Sequence, residues 1–188
     1  MKSFFRKLRH KSIIKHINLF NNTSILDTSC QDGTFLKVLL EKNMDKNLKV
    51  FGVDISREDI EKAKNLIPGG TFLVTNNKKL PNPDGVFDFV LTSLTLHHMD
   101  DPINSLSEMN RVLKENGRVY LVDIISRSLL SYKILNFIKC REPYHFEKFY
   151  SLLEAKSLVA KAGFKIEEVK TLSVFVMPVV ILKLSKSS

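Results

Sequence analysis

Apolar segments of strand length alternate with amphipathic segments of helical length along the first two thirds of the chain. Five short apolar runs predict buried strands, which span residues 24–28, 48–54, 71–75, 86–94 and 118–125. Between them, helical spacing of apolar residues and capping residues predict helices over residues 33–43, 56–66 and 103–114. Ser56 is placed to cap the second helix, and Asn116-Gly117 is a typical stop for the third.

The rhythm changes after residue 126. Helices are predicted over residues 128–140 and 149–163, and two late strands over residues 164–173 and 179–185 are predicted to form an antiparallel pair. Strands that alternate with helices build a parallel sheet with helices on both faces, joined by right-handed crossovers. The sequence therefore predicts an α/β fold, a doubly wound, Rossmann-like, seven-stranded sheet that is mostly parallel and has an antiparallel last strand.

The first 20 residues have two apolar faces that lie roughly opposite each other on a continuous helix. We therefore predict two helical pieces, capped by Ser3 and Ser12, of which the second packs on the sheet. The two faces consist of Phe4, Phe5 and Leu8, and of Ile13, Ile14, Ile17 and Phe20.

Charge is concentrated at the start of the chain. The net charge is +9, and residues 1–26 hold six basic residues and no acidic one. Such a segment attracts nucleic acid, anionic lipid or an acidic substrate, but a solvated helix face gives the same pattern, and we favour the solvated face.

Cysteine content and hydropathy bear on the compartment. The two cysteines, Cys30 and Cys140, are far apart in sequence, which favours a reducing cytosol over a disulfide framework. No apolar run approaches the roughly 20 residues of a membrane-spanning helix, and the N-terminus does not match a signal peptide. We therefore expect a cytoplasmic domain without a membrane span.

The residues that follow the predicted strands are candidates for chemistry, because ligands of doubly wound sheets bind beyond the carboxyl ends of the strands. Asp27 to Gly33 follow the first strand, Asp54 and Ile55 end the second, and Asn76 and Asn77 follow the third. The fourth strand runs into Ser93-Leu-Thr-Leu-His-His-Met-Asp100. An acid such as Asp54 at the end of the second strand can accept both ribose hydroxyls of a nucleoside.

Four blocks of this sequence resemble, in order and spacing, the class I S-adenosylmethionine-dependent methyltransferases, in particular the type 11 family related to quinone-biosynthesis methyltransferases. The blocks are ILDTSCQDG, VFGVDIS, LPNPDGVFDFVLTSLTLHHMDDP and EMNRVLKENGRVYLVD, and the resemblance covers about residues 22–125. The sequence has no dinucleotide-binding G-x-G-x-x-G string, and Asp27 lies at the end of the first strand, where the ligand is expected to bind. A carboxylate there would repel a pyrophosphate but tolerates a sulfonium-bearing zwitterion, which favours S-adenosylmethionine over NAD.

The resemblance implies a role for each residue along this edge. Asp54 would hold the ribose, Ile55 would pack on adenine, and Asn76 and Asn77 would border it. Gly33 and the backbone of Ser29 would line the methionine end, and Asp27 would face the amine through water. Thr92 and Ser93 would contact that amine through backbone carbonyls.

Three positions depart from the family pattern. Ser29 and Gln31 replace the first two glycines of the first motif, and Asn76 replaces an acid that binds adenine. Glycine at such turns provides a positive φ, which glutamine adopts only with strain. The Gln31 side chain could therefore point away, hydrogen-bond the cofactor carboxylate, or block the pocket.

Methyl transfer from a sulfonium needs alignment and exclusion of water, and it needs a general base only where the acceptor loses a proton. The candidate bases are His97, His98, Tyr144 and His145. For His97 and His98 a structural role at the end of strand four is the favoured alternative. No metal is expected, because adjacent histidines on an extended chain point apart.

The sequence thus predicts a methyltransferase that moves a methyl group from S-adenosylmethionine to a small-molecule acceptor by in-line displacement, leaving S-adenosylhomocysteine. The alternatives are a non-catalytic binding module of the same fold and an RNA or protein methyltransferase that uses the basic arm. The RNA or protein methyltransferase is not favoured, because no N-P-P-Y string follows the fourth strand. The predicted segments of this single domain are the arm (1–20), the cofactor-binding core (21–125), a lid and acceptor insertion (126–150), and the last helix with the terminal strand pair (151–188).

Overall fold

The computed structural model describes residues 2–125, 148–174 and 177–187. Within these ranges no helix is both long and apolar enough to cross a bilayer. The predicted helix over 128–140 and most of the predicted lid insertion lie outside the described residues. The helices are α1 (Lys2–Ile14), α2 (Thr34–Lys42), α3 (Arg57–Leu66), α4 (Pro102–Val112) and α5 (Leu152–Lys161). The strands are β1 (Ser24–Asp27), β2 (Lys49–Asp54), β3 (Thr71–Val74), β4 (Phe87–Ser93), β5 (Leu113–Ile124), β6 (Phe164–Val174) and β7 (Met177–Lys186).

The strands form one seven-stranded sheet in the order β3-β2-β1-β4-β5-β7-β6. All neighbours from β3 to β5 pair in parallel, whereas β7 is antiparallel to both β5 and β6. The predicted fold class is confirmed. The strand order reverses between β1 and β4, so the carboxyl ends of β1 to β4 meet at a crevice.

Alternation of side chains along the strands creates two apolar cores, one on each face of the sheet. Ile25 and Leu91 belong to the core that α1, α2 and α3 cover. Their neighbours Leu26 and Val90 point the other way, into the core that α4 and α5 cover. The two cores fix the strands rigidly, and with them the ends that border the crevice.

The prediction of two separate N-terminal pieces is wrong. A single helix, α1, runs from Lys2 to Ile14 and includes Ser12 in its interior. Its C-terminal end is stabilised by Lys42, whose Nζ donates to the carbonyl oxygens of Ile14 and Ile17 at 2.9 and 3.1 Å. The buried residues Ile13, Ile14 and Ile17 anchor this end, whereas Phe20 is 69% exposed.

The helix predicted to end at Asn116-Gly117 ends earlier, at Val112. Leu113 is fully buried and pairs with Phe87 of β4, so the chain enters β5 directly after the helix. A Cβ on Gly117 would lie 2.7 Å from the Leu113 side chain and 3.0 Å from the Asp88 carbonyl oxygen. Gly117 therefore permits close packing of the strand rather than stopping a helix.

Candidate functional site

A cavity of about 430 Å³ opens at the carboxyl ends of β1, β2 and β3, beside the turn that follows β4. This volume is in the range of small-molecule sites. Its walls include seven of the predicted site residues, namely Ser29, Gln31, Asp54, Ile55, Asn76, Asn77 and His98. Lys78 and Asp100 form an ion pair of 2.6 Å and also line this cavity.

Asp54 links the loops after β1 and β2. Its Oδ2 accepts a hydrogen bond from the Gln31 backbone N–H (3.0 Å), and its Oδ1 accepts one from the Ser56 N–H (3.0 Å). A carboxylate offers about four lone-pair sites, so this half-buried group can still accept two hydroxyls from the cavity. The next residue, Ile55, is 75% exposed and presents an apolar surface to the same cavity.

The loop after β1 is held on both sides by neighbouring strands. The Thr28 N–H donates to the Leu91 carbonyl oxygen of β4, and the Cys30 N–H donates to the Val53 carbonyl oxygen of β2. Asn77 Nδ2 donates to Ser29 Oγ across 3.1 Å, which links this loop to the one after β3. The three loops therefore form a connected rim around the cavity.

Gln31 has the left-handed backbone that the family glycine pattern predicts, with φ of 47°. It lines the cavity and leaves about 430 Å³ of space beside it. Leu94, after β4, also has a positive φ of 57°. Strained backbone of this kind clusters at ligand sites, and both residues lie at the crevice.

Replacing Gln31 with glycine is expected to raise the free energy of unfolding by about 1 kcal/mol, because glycine adopts a left-handed backbone without steric cost. The N–H that bonds Asp54 is retained in this variant. Urea unfolding followed by circular dichroism measures the change. Asn22→Gly is the matched control, since Asn22 also has a positive φ of 56° but asparagine tolerates it, so a smaller gain is expected. A lower free energy of unfolding in Gln31→Gly would contradict backbone strain at Gln31.

A second cavity, of about 20 Å³, lies between α1 and the loop after β1. Asp27 lines it and is 1% exposed. Its Oδ1 accepts a hydrogen bond from the Ser29 N–H (3.1 Å), whereas its Oδ2 is buried with no hydrogen-bond partner among the described residues. Burial, assisted by the nearby Asp54 charge and opposed by the Ser29 hydrogen bond, raises the pKa of Asp27 to about 7.

Of the remaining predicted binding residues, one lines a cavity and two do not. Ser93 lines the small cavity. Thr92 and Gly33 line neither cavity, and Gly33 instead packs on α3, where a Cβ would lie 3.1 Å from Ala63. The buried Thr92 Oγ1 has no hydrogen-bond partner among the described residues.

The two adjacent histidines have different surroundings. His97 is 4% exposed, its Nδ1 lies 2.6 Å from Asp123 Oδ1, and its ring stacks on Phe149. His98 is exposed and lines the large cavity. His97 is therefore part of the folded interior, and His98 is the histidine that a bound molecule can reach. The other candidate bases, Tyr144 and His145, lie outside the described residues.

Several basic residues of α1 face the loop after β1 or the neighbouring helix. Arg6 forms an ion pair of 2.6 Å with Asp32 and also donates to Thr34 Oγ1. Lys7 lies 3.9 Å from Glu41. Arg9 and His10 line the small cavity, and neither was among the site residues predicted from the sequence. The available signal was the position of His10 at the head of the Ile13, Ile14 and Ile17 stripe.

Across residues 2–125, 148–174 and 177–187, no group of three or more His, Cys, Asp or Glu side chains is arranged to hold a metal ion.

Comparison with known proteins identifies relatives of the same fold. A methyltransferase-domain family model matches residues 4–169. The demethylmenaquinone methyltransferase of Anoxybacillus flavithermus is 28% identical over 152 residues, which are 78% of this chain and 62% of the relative. The chain therefore spans less than two thirds of that enzyme's length.

Two solved structures show the same fold. A SAM-dependent methyltransferase from Thermotoga maritima has a TM-score of 0.77 at 24% identity. The superposition includes 97% of this chain and 90% of the Thermotoga chain. Geranyl diphosphate methyltransferase in complex with SAM has a TM-score of 0.76 at 14% identity, with coverage of 96% and 85%. The family match extends over most of the chain. The chain therefore belongs to the methyltransferase-domain family, in agreement with its resemblance to the class I S-adenosylmethionine-dependent methyltransferases.

Proposed function

We propose that this chain transfers a methyl group from S-adenosylmethionine to a small-molecule acceptor. One observation carries the proposal. Two carboxylates at the ends of adjacent strands, Asp54 and the buried Asp27, border neighbouring cavities, and each can still accept hydrogen bonds. A nucleoside attached to an ammonium-bearing chain has the complementary groups, since ribose hydroxyls and an ammonium both donate hydrogen bonds.

The proposed roles follow the walls of the cavities. Asp54 accepts the ribose hydroxyls, and Ile55, Asn76 and Asn77 surround the adenine. Asp27, Ser29 and Ser93 surround the methionine end, and Gln31 forms part of the wall shared by the two cavities. Gly33 and Thr92 line neither cavity, so we assign them no direct contact with the methionine end. The exposed Ile55 side chain supports the adenine position, because an apolar surface at a cavity wall suits an aromatic ring.

When bound, the sulfonium supplies an activated methyl group and leaves as a neutral thioether. The chain's own contribution is to position the two reactants and exclude water. We assign His98 as the residue that accepts a proton from an acceptor that must lose one, because it is the histidine on the cavity wall. His97 holds the turn after β4 through Asp123.

The acceptor class follows from the curated relatives, whose names identify demethylmenaquinone as their substrate. We propose an acceptor of this small-molecule kind and a cytoplasmic location, as the cysteine content predicts. The RNA alternative has less support, because Arg6 and Lys7 contact acidic residues of the chain itself.

Methyl transfer can be tested with S-adenosylmethionine labelled at the methyl group. The purified chain is incubated separately with reduced demethylmenaquinone, total RNA and a protein extract. Label is expected in the quinone fraction, and His98→Gln is expected to lower the rate by roughly 100-fold or more while binding is retained. Label in RNA or protein alone would contradict a small-molecule acceptor. Tight cofactor binding without transfer to any fraction would favour the non-catalytic binding module.

A further inference from the structure

The imidazole of His97 belongs to a cluster of three rings that reaches from the interior to the wall of the large cavity. It stacks on Phe149, with 5.3 Å between the ring centroids and an angle of 22° between the planes. It also lies against the His98 ring, with 4.1 Å between the centroids. His97 and Phe149 are buried, whereas His98 is exposed on the cavity wall. His97 therefore connects the folded interior to the histidine that a ligand can reach.

Asp123, near the end of β5, fixes the orientation of His97. Its Oδ1 lies 2.6 Å from His97 Nδ1, and its Oδ2 accepts a hydrogen bond from the His97 backbone N–H across 3.3 Å. The Asp123 side chain is buried, and its Oδ1 also accepts from the Ile124 N–H at 2.6 Å. A carboxylate only accepts hydrogen bonds, so Nδ1 is a ring nitrogen of His97 that carries a proton. One carboxylate thus holds both the backbone and the ring of His97.

His97 also joins segments that are far apart in sequence. It lies in a 3₁₀ turn, Leu96–His98, that follows β4, whereas Asp123 belongs to β5 and Phe149 precedes α5. The Lys148 backbone N–H donates to the His97 carbonyl oxygen at 3.3 Å, so the segment before α5 contacts the turn through both main chain and side chain. A single 3₁₀ turn has poor internal hydrogen-bond geometry, and these outside contacts give it a fixed place.

Stability alone does not explain the polar pair of His97 and Asp123. Burial of two polar groups carries a desolvation cost, and apolar residues of similar volume in place of such a pair are often neutral or stabilising. An apolar ring at position 97 would fill a similar volume and still stack on Phe149. The hydrogen bonds to Asp123 instead give the turn one orientation, and that orientation decides where the adjacent His98 ring lies.

We propose that His97 and Asp123 are positioning residues for methyl transfer, which hold the His98 imidazole at the cavity wall where it receives a proton from the acceptor. This inference rests on the proposed function and adds to it the groups on which the base depends. Proton transfer requires a heavy-atom separation of roughly 2.6–3.2 Å, so a displacement of the ring by about 1 Å lowers the rate strongly.

Three substitutions separate positioning from stability. Asp123→Asn keeps the size of the side chain but exchanges one acceptor for a donor, so the Nδ1 proton of His97 loses its carboxylate partner. His97→Asn keeps a donor for Asp123 and removes the ring that lies against His98. Tyr120→Phe is the matched control, because Tyr120 is buried in the same strand and its hydroxyl bonds the backbone of Asn18 instead.

The rate is measured with methyl-labelled S-adenosylmethionine and reduced demethylmenaquinone, and calorimetry gives the affinity for S-adenosylhomocysteine. Asp123→Asn and His97→Asn are each expected to lower kcat by about 10- to 100-fold, the effect of a misplaced base, and to change the dissociation constant by less than about threefold. Tyr120→Phe is expected to change neither quantity. In a His98→Gln background, Asp123→Asn is expected to cause no further loss of kcat, because it acts through His98.

Long-range proton–nitrogen NMR of the imidazoles gives a readout that needs no acceptor. Asp123→Asn is expected to shift the ring resonances of His98, which are identified by their loss in His98→Gln, and Tyr120→Phe is expected to leave them unchanged. Unshifted His98 resonances in Asp123→Asn, or an equal loss of kcat with and without His98, would overturn the inference.

The two levels of the account fail differently. A normal kcat in Asp123→Asn rejects the positioning role alone. A wild type that transfers no methyl group to the quinone rejects the proposed function and with it this role in the reaction.

Discussion

Replacing Asp54 with alanine is expected to weaken S-adenosylhomocysteine binding by roughly 100-fold or more, because two hydrogen bonds from ribose to a charged acceptor are lost. The substitution also removes the acceptor for the Gln31 and Ser56 N–H groups, which lie 3.0 Å from the carboxylate. The two loops that border the cavity then lose their common anchor. Isothermal titration calorimetry of the variant measures the loss.

Asp59→Ala is the matched control for this prediction. Asp59 lines the same cavity, and its side chain lies 3.5 Å from Lys62 on the surface of α3. Both substitutions remove one negative charge from the same wall, but the Asp59 carboxylate pairs with Lys62 of its own helix. Equal affinity losses in the two variants would contradict a specific ribose site at Asp54.

The second large effect concerns the pH dependence that Asp27 creates. Its pKa is raised from the usual 3.8 to about 7, so the folded protein retains a proton that the unfolded chain has released. The stability of the ligand-free protein should therefore fall as pH rises from about 4 to about 7 and stay low above that. The shift corresponds to a loss of about 4 kcal/mol.

A bound ammonium group favours the ionised form of Asp27. The affinity for S-adenosylhomocysteine should therefore increase as pH rises towards 7. Below pH 7, binding should release the proton that Asp27 holds in the ligand-free protein. Calorimetry at about pH 5.5 and about pH 8 in buffers of different ionisation enthalpy measures both effects. At about pH 8, the Asp27→Asn variant should unfold at a higher temperature than the wild type. Its affinity for the ligand should no longer depend on pH. A wild-type affinity that does not change with pH would contradict this role of Asp27.

The position of the large cavity could be predicted, because sheet topology brings the carboxyl ends of β1 to β4 to one edge. Asp54, Ile55 and Asn76 are distant from Asp27 in sequence, but each lies at or just beyond the carboxyl end of a strand, and these ends share one edge of the sheet. The helix cap at Ser56 was also predicted from the local sequence, and Ser56 Oγ accepts a hydrogen bond from the Asp59 N–H. The resemblance to the family's glycine motif implied a positive φ at position 31, and Gln31 has a φ of 47°.

The parts that could not be predicted depend on contacts between distant segments. The single helix α1 is stabilised by Lys42 and Asp32, which no local pattern relates to the arm. Asp123 binds His97 from the end of β5, 26 residues away in sequence. Arg9 and His10 reach the small cavity only because α1 packs over the first loop. Basic residues that look like a solvated face in sequence are therefore partly engaged with the core.

The most direct test of the central claim, that this crevice binds S-adenosylmethionine and its product, is a calorimetric titration of the cofactor-free wild type with S-adenosylhomocysteine. The structure predicts saturable binding of one ligand per chain with a dissociation constant in the micromolar range or tighter. Absence of binding at millimolar ligand, with a folded protein and no thermal shift, would contradict it.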